Sequence, residues 1–125
     1  MAIERFDAFF KTRGWNSFPF QRRTWRACAK GGSGLVNAPT GSGKTFSLVL
    51  PILHQFQEYS STGQARKNVF AIWITPIRAL AGEIAESARE AAEYLGVEGD
   101  IVVRTGDTPP GQRRRLFSRS TALLI

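Results

Sequence analysis

The sequence has a single cysteine, Cys28, so no disulfide can form within the chain. A chain without a disulfide is typical of a reducing compartment. No stretch approaches the roughly 18 apolar residues of a membrane-spanning helix. The first residues, which include Glu4, Arg5 and Asp7, lack the apolar run of a signal peptide. These absences predict a soluble, cytoplasmic protein with no membrane partner.

Acidic side chains are few compared with basic ones. The chain of 125 residues has 17 Lys and Arg against 10 Asp and Glu, which gives a net charge of +7 and a pI of about 10.5. Arginine supplies most of this charge, and its planar guanidinium matches phosphate groups. We therefore expect a nucleic-acid partner. The hydrophobic content of 42% is that of one ordinary globular domain.

The apolar periodicity predicts alternating strands and helices. Residues 69–75 (V-F-A-I-W-I-T) form a continuous apolar run, which is typical of a strand buried on both faces of a parallel sheet. The pattern predicts an α/β fold with a parallel sheet and flanking helices. The expected helices are 1–13, 22–30, 45–57 (with a kink at Pro51), 79–95 and a short basic one at 112–117, and the expected strands are 35–37, 69–75, 101–105 and 121–125.

Residues 38–45 read A-P-T-G-S-G-K-T, between a short apolar run and a helical stretch. A strand, a Gly-rich loop and a helix in this order hold a nucleotide triphosphate. Lys44 is expected to reach the β- and γ-phosphates, and the Thr45 hydroxyl to ligate Mg²⁺. Ala38 stands where the usual pattern has its first Gly. The expected phosphate-binding residues are Thr40, Gly41, Ser42, Gly43, Lys44 and Thr45.

Three further motifs narrow the class of phosphate-loop protein. F-P-F-Q ends at Gln21, whose amide can both donate to and accept from an adenine edge; the alternative is a solvated polar residue at a helix start. T-P-I-R-A-L begins at Thr75 and places Arg78 at a helix N-terminus, where a phosphate can bind; the alternative is an ordinary strand-to-helix turn. R-T-G-D-T (104–108) offers a tight turn at Gly106, with Asp107 expected to serve the turn.

F-P-F-Q followed by A-P-T-G-S-G-K-T resembles the start of a superfamily two DExH/DEAD-box helicase. With W-I-T-P-I-R-A-L and R-T-G-D-T, the pattern is similar to the large helicase-related (Lhr) family, and within it to the ligase-associated DNA helicase branch. The resemblance covers residues 15–125. It implies that residues 1–34 are an N-terminal helical segment carrying an adenine-reading glutamine. Residues 35–125 are then the N-terminal part of a first RecA-like P-loop NTPase domain, incomplete at its C-terminus.

The resemblance also implies an activity. It implies ATP and Mg²⁺ as cofactors, 3′-to-5′ translocation along single-stranded DNA, and a role in DNA repair. In this interpretation Gln21 reads adenine. The nucleic-acid track is formed by Thr75, Pro76, Arg78, Gly106 and Asp107.

The sequence contains no D-E-x-H or D-E-x-D, the motif whose acid holds Mg²⁺ and whose glutamate positions the attacking water. An arginine finger contributes on the order of 10³ to 10⁵ in rate, and none is present. We therefore expect these residues alone to bind ATP weakly and to hydrolyse it negligibly, with the C-terminal motor domain of the same protein as the missing partner. The alternatives are a non-hydrolysing ATP- or nucleic-acid-binding module and a double-stranded-DNA translocase subunit.

Overall fold

A computed structural model of the chain describes residues 2–63, 69–106, 108–111 and 120–125. The chain divides into two compact units, Met1–Pro51 and Ile52–Ile125. The elements in chain order are α1 (Ala2–Thr12), α2 (Pro19–Ala29), α3 (Lys44–Ser61), β1 (Val69–Ile72), α4 (Arg78–Leu95), β2 (Asp100–Val102) and β3 (Thr121–Leu124). The boundary between the units falls inside α3. The functional boundary expected between residues 34 and 35 stays a prediction.

An aromatic cluster holds the first unit together. The buried face of α1 carries Phe6, Phe9 and Phe10, at the spacing of one helical face. Trp25 of α2 packs edge-on against Phe6, with ring centroids 5.1 Å apart. Its indole nitrogen also donates to the backbone oxygen of Phe46, at 3.2 Å. The cluster therefore fixes α1 and α2 against the first turn of α3.

The prediction of a strand at residues 35–37 is wrong, because residues 33–39 form no regular element. The side chain of Leu35 is 91% exposed. A strand exists only through hydrogen bonds to a neighbouring strand, and the sheet in the described part of the chain consists of β1, β3 and β2. Short apolar segments without such a neighbour lose the ladder that would make them strands.

The second unit contains a parallel sheet with the strand order β1-β3-β2. The central strand β3 places Leu123 opposite Ala71 of β1 and Ile101 of β2. Leu123 and its neighbour Ala122 are fully buried. A Cβ added to Gly99 would lie 2.4 Å from the ring of Phe56, so only glycine lets the backbone before β2 approach that ring. The predicted α/β fold with a parallel sheet is confirmed.

The strand expected over residues 69–75 is shorter and more exposed than predicted. β1 ends at Ile72, and the side chains of Ile72 and Ile74 are 68% and 90% exposed. The two exposed residues are two positions apart, so their side chains lie on the same face, while Trp73 between them is half-buried. The continuous apolar run at 69–75 therefore does not correspond to a strand that is buried on both faces of the sheet.

The expected helices agree with the structure, with changes at their ends. α2 begins at Pro19 rather than at Arg22, with proline in the first turn, where its missing N–H costs nothing. α3 continues through Pro51 and ends at Ser61. The apolar spacing of Leu80, Ile84, Ala88, Ala91 and Leu95 predicts one buried stripe on α4, and the stripe is buried except at Leu80, which is 39% exposed. The basic helix expected at 112–117 lies outside the described residues. No helix in the described ranges is long and apolar enough to cross a membrane.

Two apolar substitutions should separate the core of the sheet from its exposed edge. Leu123→Ala removes a fully buried side chain from the central strand, so we expect it to cost about 2–5 kcal/mol of unfolding free energy. Ile74→Ala removes a side chain that is 90% exposed and should change stability by about 0.5 kcal/mol or less. Urea unfolding of both variants measures the difference. Equal losses would contradict a core centred on β3.

Candidate nucleotide and nucleic-acid sites

The predicted phosphate loop has the backbone geometry that an anion site requires. Gly41 and Gly43 have φ of 78° and 86°, in the left-handed region that favours glycine. Between them, the backbone N–H of Ser42 donates to the carbonyl oxygen of Pro39 at 3.2 Å and closes a turn. α3 begins directly afterwards at Lys44. The loop therefore leads straight into a helix N-terminus, where backbone N–H groups and the helix dipole favour phosphate.

Gln21 is buried and joins the phosphate loop to the segment before α2. Its side chain is 1% exposed, which contradicts the alternative of a solvated polar residue. The Oε1 atom accepts from the backbone N–H of Phe18 at 2.8 Å, and Nε2 donates to the carbonyl oxygen of Gly43 at 3.0 Å. The bond to Gly43 was not foreseen from the sequence, because 22 residues separate its partners. Adenine recognition by Gln21 stays a prediction.

A cavity of about 250 Å³ opens beside the phosphate loop. Its walls include the rings of Trp15, Phe18 and Phe46, together with Gln21 and residues 41–43. Trp15 and Phe18 are 44% and 54% exposed, so part of each side chain is accessible to a ligand. Flat aromatic walls next to a phosphate loop suit a base whose phosphates lie in that loop.

The second candidate site is a cavity of about 390 Å³ at the carboxyl ends of the three strands. The structure brings together Thr75, Pro76, Arg78 and Gly106 in its lining. A Cβ at Gly106 would lie 3.3 Å from Nη2 of Arg78, so the two motifs meet closely. Carboxyl ends of parallel strands are the usual place for ligands in such sheets.

Backbone hydrogen bonds shape this second cavity. The N–H of Arg104 donates to the carbonyl oxygen of Ile125, and that of Trp73 to the carbonyl oxygen of Leu124, both at 2.7 Å. The N–H of Thr105 donates to the hydroxyl of Thr108 at 2.8 Å. The segments after β1 and β2 are therefore tied to the end of β3 or closed into a turn. The predicted Asp107 lies outside the described residues.

The metal and nucleophile chemistry of the described residues is limited. They contain no group of three or more His, Cys, Asp or Glu side chains that could hold a metal ion. Burial raises the pKa of the Cys28 thiol, which disfavours the reactive thiolate. His54 places Nε2 3.3 Å from Oε1 of Glu58, one turn further along α3. Thr45 is half-buried in the first turn of α3, and its role as a Mg²⁺ ligand stays a prediction.

A polar network that the sequence did not predict holds the aromatic loop, residues 13–18 between α1 and α2. The hydroxyl of Ser17 donates to Oδ1 of Asp7 at 2.6 Å and accepts from Nε of Arg22 at 2.9 Å. The guanidinium of Arg22 also pairs with Oδ2 of Asp7. The partners are 5 to 15 residues apart in the chain, so no local spacing signals the network.

The sequence matches the family model of the DEAD/DEAH box helicases over residues 18–125. The chain belongs to this family, and the resemblance seen in the motifs is confirmed. It is similar to the ATP-dependent helicase Lhr-Core of Methanocaldococcus jannaschii, with 28% identity over 94% of this chain and 15% of that protein. It is 31% identical to the Lhr helicase/probable uracil glycosylase of Mycolicibacterium smegmatis, over 98% of this chain and 9% of that protein.

A solved structure has the same fold. The DUF1998 helicase MrfA, in a crystal structure bound to DNA, superimposes with a TM-score of 0.76 and 27% identity, over 98% of this chain and 16% of that chain. The chain therefore spans a small part of the relatives that it matches.

Glycine substitutions in the phosphate loop should differ although both positions have positive φ. A Cβ at Gly43 would lie 2.5 Å from Nε2 of Gln21, whereas nothing lies within 4 Å of one at Gly41. Gly41→Ala should cost about 1–2 kcal/mol through backbone strain alone. Gly43→Ala should cost more, because it also displaces the buried amide of Gln21. Urea unfolding measures both, and an equal cost would show that the Gln21 contact is not rigid.

Proposed function

We propose that this chain is the ATP-binding N-terminal part of an ATP-dependent nucleic-acid helicase motor that acts on single-stranded DNA in repair. The observation that supports ATP binding is the pair of hydrogen bonds by which buried Gln21 bridges the backbone of Phe18 and that of Gly43. The bridge joins an aromatic cavity of about 250 Å³ to a glycine loop at a helix N-terminus. A base and a triphosphate need these two surfaces side by side.

The proposed nucleotide contacts follow from the geometry of the loop. The backbone of Thr40 to Thr45 wraps the phosphates, and exposed Lys44 neutralises them. Thr45 would contribute a hydroxyl oxygen to Mg²⁺, and the bound ion would supply positive charge to the phosphates. Gln21, in the wall of the same cavity, recognises the adenine edge.

The proposed nucleic-acid contacts lie in the 390 Å³ cavity. Thr75 offers a hydroxyl, the N-terminus of α4 offers backbone N–H groups, and Arg78 adds charge. Gly106 has no side chain, so a phosphate group can approach the backbone that follows β2. Asp107, the next residue in the sequence, is also proposed to belong to this nucleic-acid track. These groups contact phosphate rather than base edges, so binding should be tolerant of sequence.

Two properties of the relatives support DNA as the partner. MrfA was solved bound to DNA, and two bacterial relatives are named as a Lhr helicase together with a uracil glycosylase, one of them as a probable glycosylase. They support a repair context for this chain. Assignment to the ligase-associated branch of the Lhr family is our hypothesis.

A second candidate is an ATP-binding module that holds the nucleotide in the same loop and does not hydrolyse it. Phosphoryl transfer depends on positioned charge and on an oriented water. The two candidates share the nucleotide site and differ in turnover.

Removal of the loop lysine tests the nucleotide site. Lys44→Ala should weaken binding of MgATP about tenfold or more, since a hydrogen bond to a charged group contributes about 1.5–3 kcal/mol. Lys30→Ala is the matched control, because it removes the same charge from an exposed residue at the end of α2. Titration of a fluorescent ATP analogue measures both affinities.

Equal affinity of the Lys44 and Lys30 variants would contradict the site. Release of phosphate from MgATP should be negligible for the chain. Steady turnover that Lys44→Ala abolishes would contradict that expectation and remove the non-hydrolysing candidate.

A second substitution tests the nucleic-acid site. Arg78→Ala should weaken binding of a fluorescein-labelled oligo-dT severalfold and reduce the salt slope by about one charge. Arg89→Ala removes the same charge from the same helix, where the guanidinium donates to the carbonyl oxygen of Ile101 at 3.3 Å, and should have little effect. Fluorescence anisotropy at several salt concentrations measures both. Equal effects would indicate nonspecific attraction to a basic chain.

A further inference from the structure

The loop between α1 and α2 separates two cavities of similar size. One is the candidate nucleotide cavity of about 250 Å³, and the other is a polar cavity of about 260 Å³. Trp15 and Asn16 line both. The loop is therefore a thin wall, and its position sets the width of the nucleotide cavity.

The polar network supports this wall from behind. Asp7, Ser17 and Arg22 line the polar cavity, and none of them lines the nucleotide cavity. In the sequence, Ser17 lies between Trp15 and Phe18, the two aromatic residues of this loop that line the nucleotide cavity. Its hydroxyl is held by Asp7 of α1 at 2.6 Å and by Arg22 of α2 at 2.9 Å. The loop, residues 13–18, is thus anchored to two helices close to its C-terminal end.

We propose that Asp7, Ser17 and Arg22 are positioning residues that hold the aromatic wall of the nucleotide site and so raise its affinity for the adenine base. The inference rests on the proposed nucleotide function. The three side chains act through Trp15 and Phe18 and do not touch the ligand. A wall held in place before binding avoids the loss of conformational entropy that ordering it would require.

The energetics favour a local role over a global one. The side chains of Arg22 and Asp7 are 40% and 20% exposed. Ion pairs at such partly exposed sites add little to the stability of the whole fold, because water screens them and their ordering costs entropy. Loss of the network should therefore free the loop while leaving the aromatic cluster of α1 and α2 folded.

Ser17→Ala and Ser17→Thr form the matched pair of the test. NMR titrations of the 125-residue chain measure the dissociation constants of MgATP and of magnesium tripolyphosphate. The tripolyphosphate needs only the glycine loop, whereas ATP needs the aromatic wall as well. Ser17→Ala should weaken ATP binding about three- to tenfold and tripolyphosphate binding less than about twofold, since it removes two charge-assisted hydrogen bonds from the wall. Ser17→Thr keeps the hydroxyl and should bind both ligands as the unmodified chain does.

Asp7→Ala provides an independent variant. It should reproduce the selective loss of ATP affinity, and the double variant Asp7→Ala/Ser17→Ala should lose no more than either single one, because both break one network. Glu4→Ala removes an equal charge from α1 outside the network and should leave both affinities unchanged.

Three results would overturn the inference. An equal loss of ATP and tripolyphosphate affinity would show that the network only stabilises the fold. Unchanged ATP affinity in Ser17→Ala and Asp7→Ala would show that the wall holds without it. Failure of the unmodified chain to bind either ligand would overturn the proposed nucleotide function itself, and that outcome is separate because it precedes any substitution.

Discussion

The nucleotide half of the molecule depends on the two hydrogen bonds of the buried Gln21 amide. An amide that is 1% exposed must find partners inside the protein, because a buried polar group left unsatisfied costs about 1–3 kcal/mol. Here the partners are the backbone of Phe18 and that of Gly43. The positive φ of Gly43, which only glycine adopts easily, presents its carbonyl oxygen to the amide. The conformation of the phosphate loop and the start of α2 are therefore determined together.

The order of the strands explains why two distant motifs share one cavity. β3 comes last in the chain but lies between β1 and β2. Its end accepts backbone N–H groups from Trp73 on one side and Arg104 on the other. The segments that follow β1 and β2 are thereby drawn to the same edge of the sheet. Thr75, Arg78 and Gly106 meet there because parallel strands all end on that edge.

The sequence predicted the positions of most helices and strands, but it did not predict which of their side chains are exposed or which distant residues they contact. The periodicity of α4 identified its buried face from Ile84 to Leu95 but not the exposure of Leu80, because periodicity does not show where the neighbouring layer ends. The run at 69–75 predicted a buried strand, and Ile74 is exposed, because the burial of a side chain depends on which layers cover its face of the sheet. The motif of Gln21 indicated a functional residue, while its bond to Gly43 and the Asp7–Ser17–Arg22 network depend on tertiary contacts that no local pattern encodes.

The first turn of α2 holds the aromatic loop from two directions. Successive residues of a helix point about 100° apart, so neighbours can reach different structures. Gln21 binds the backbone of Phe18 and the phosphate loop, and Arg22 binds Ser17 and Asp7 of α1. If this network raises the affinity for the nucleotide, linkage requires the bound nucleotide to stabilise the network by the same factor. Nucleotide occupancy would then strengthen the docking of α1, the helix that contributes Phe10 to the lining of the nucleotide cavity.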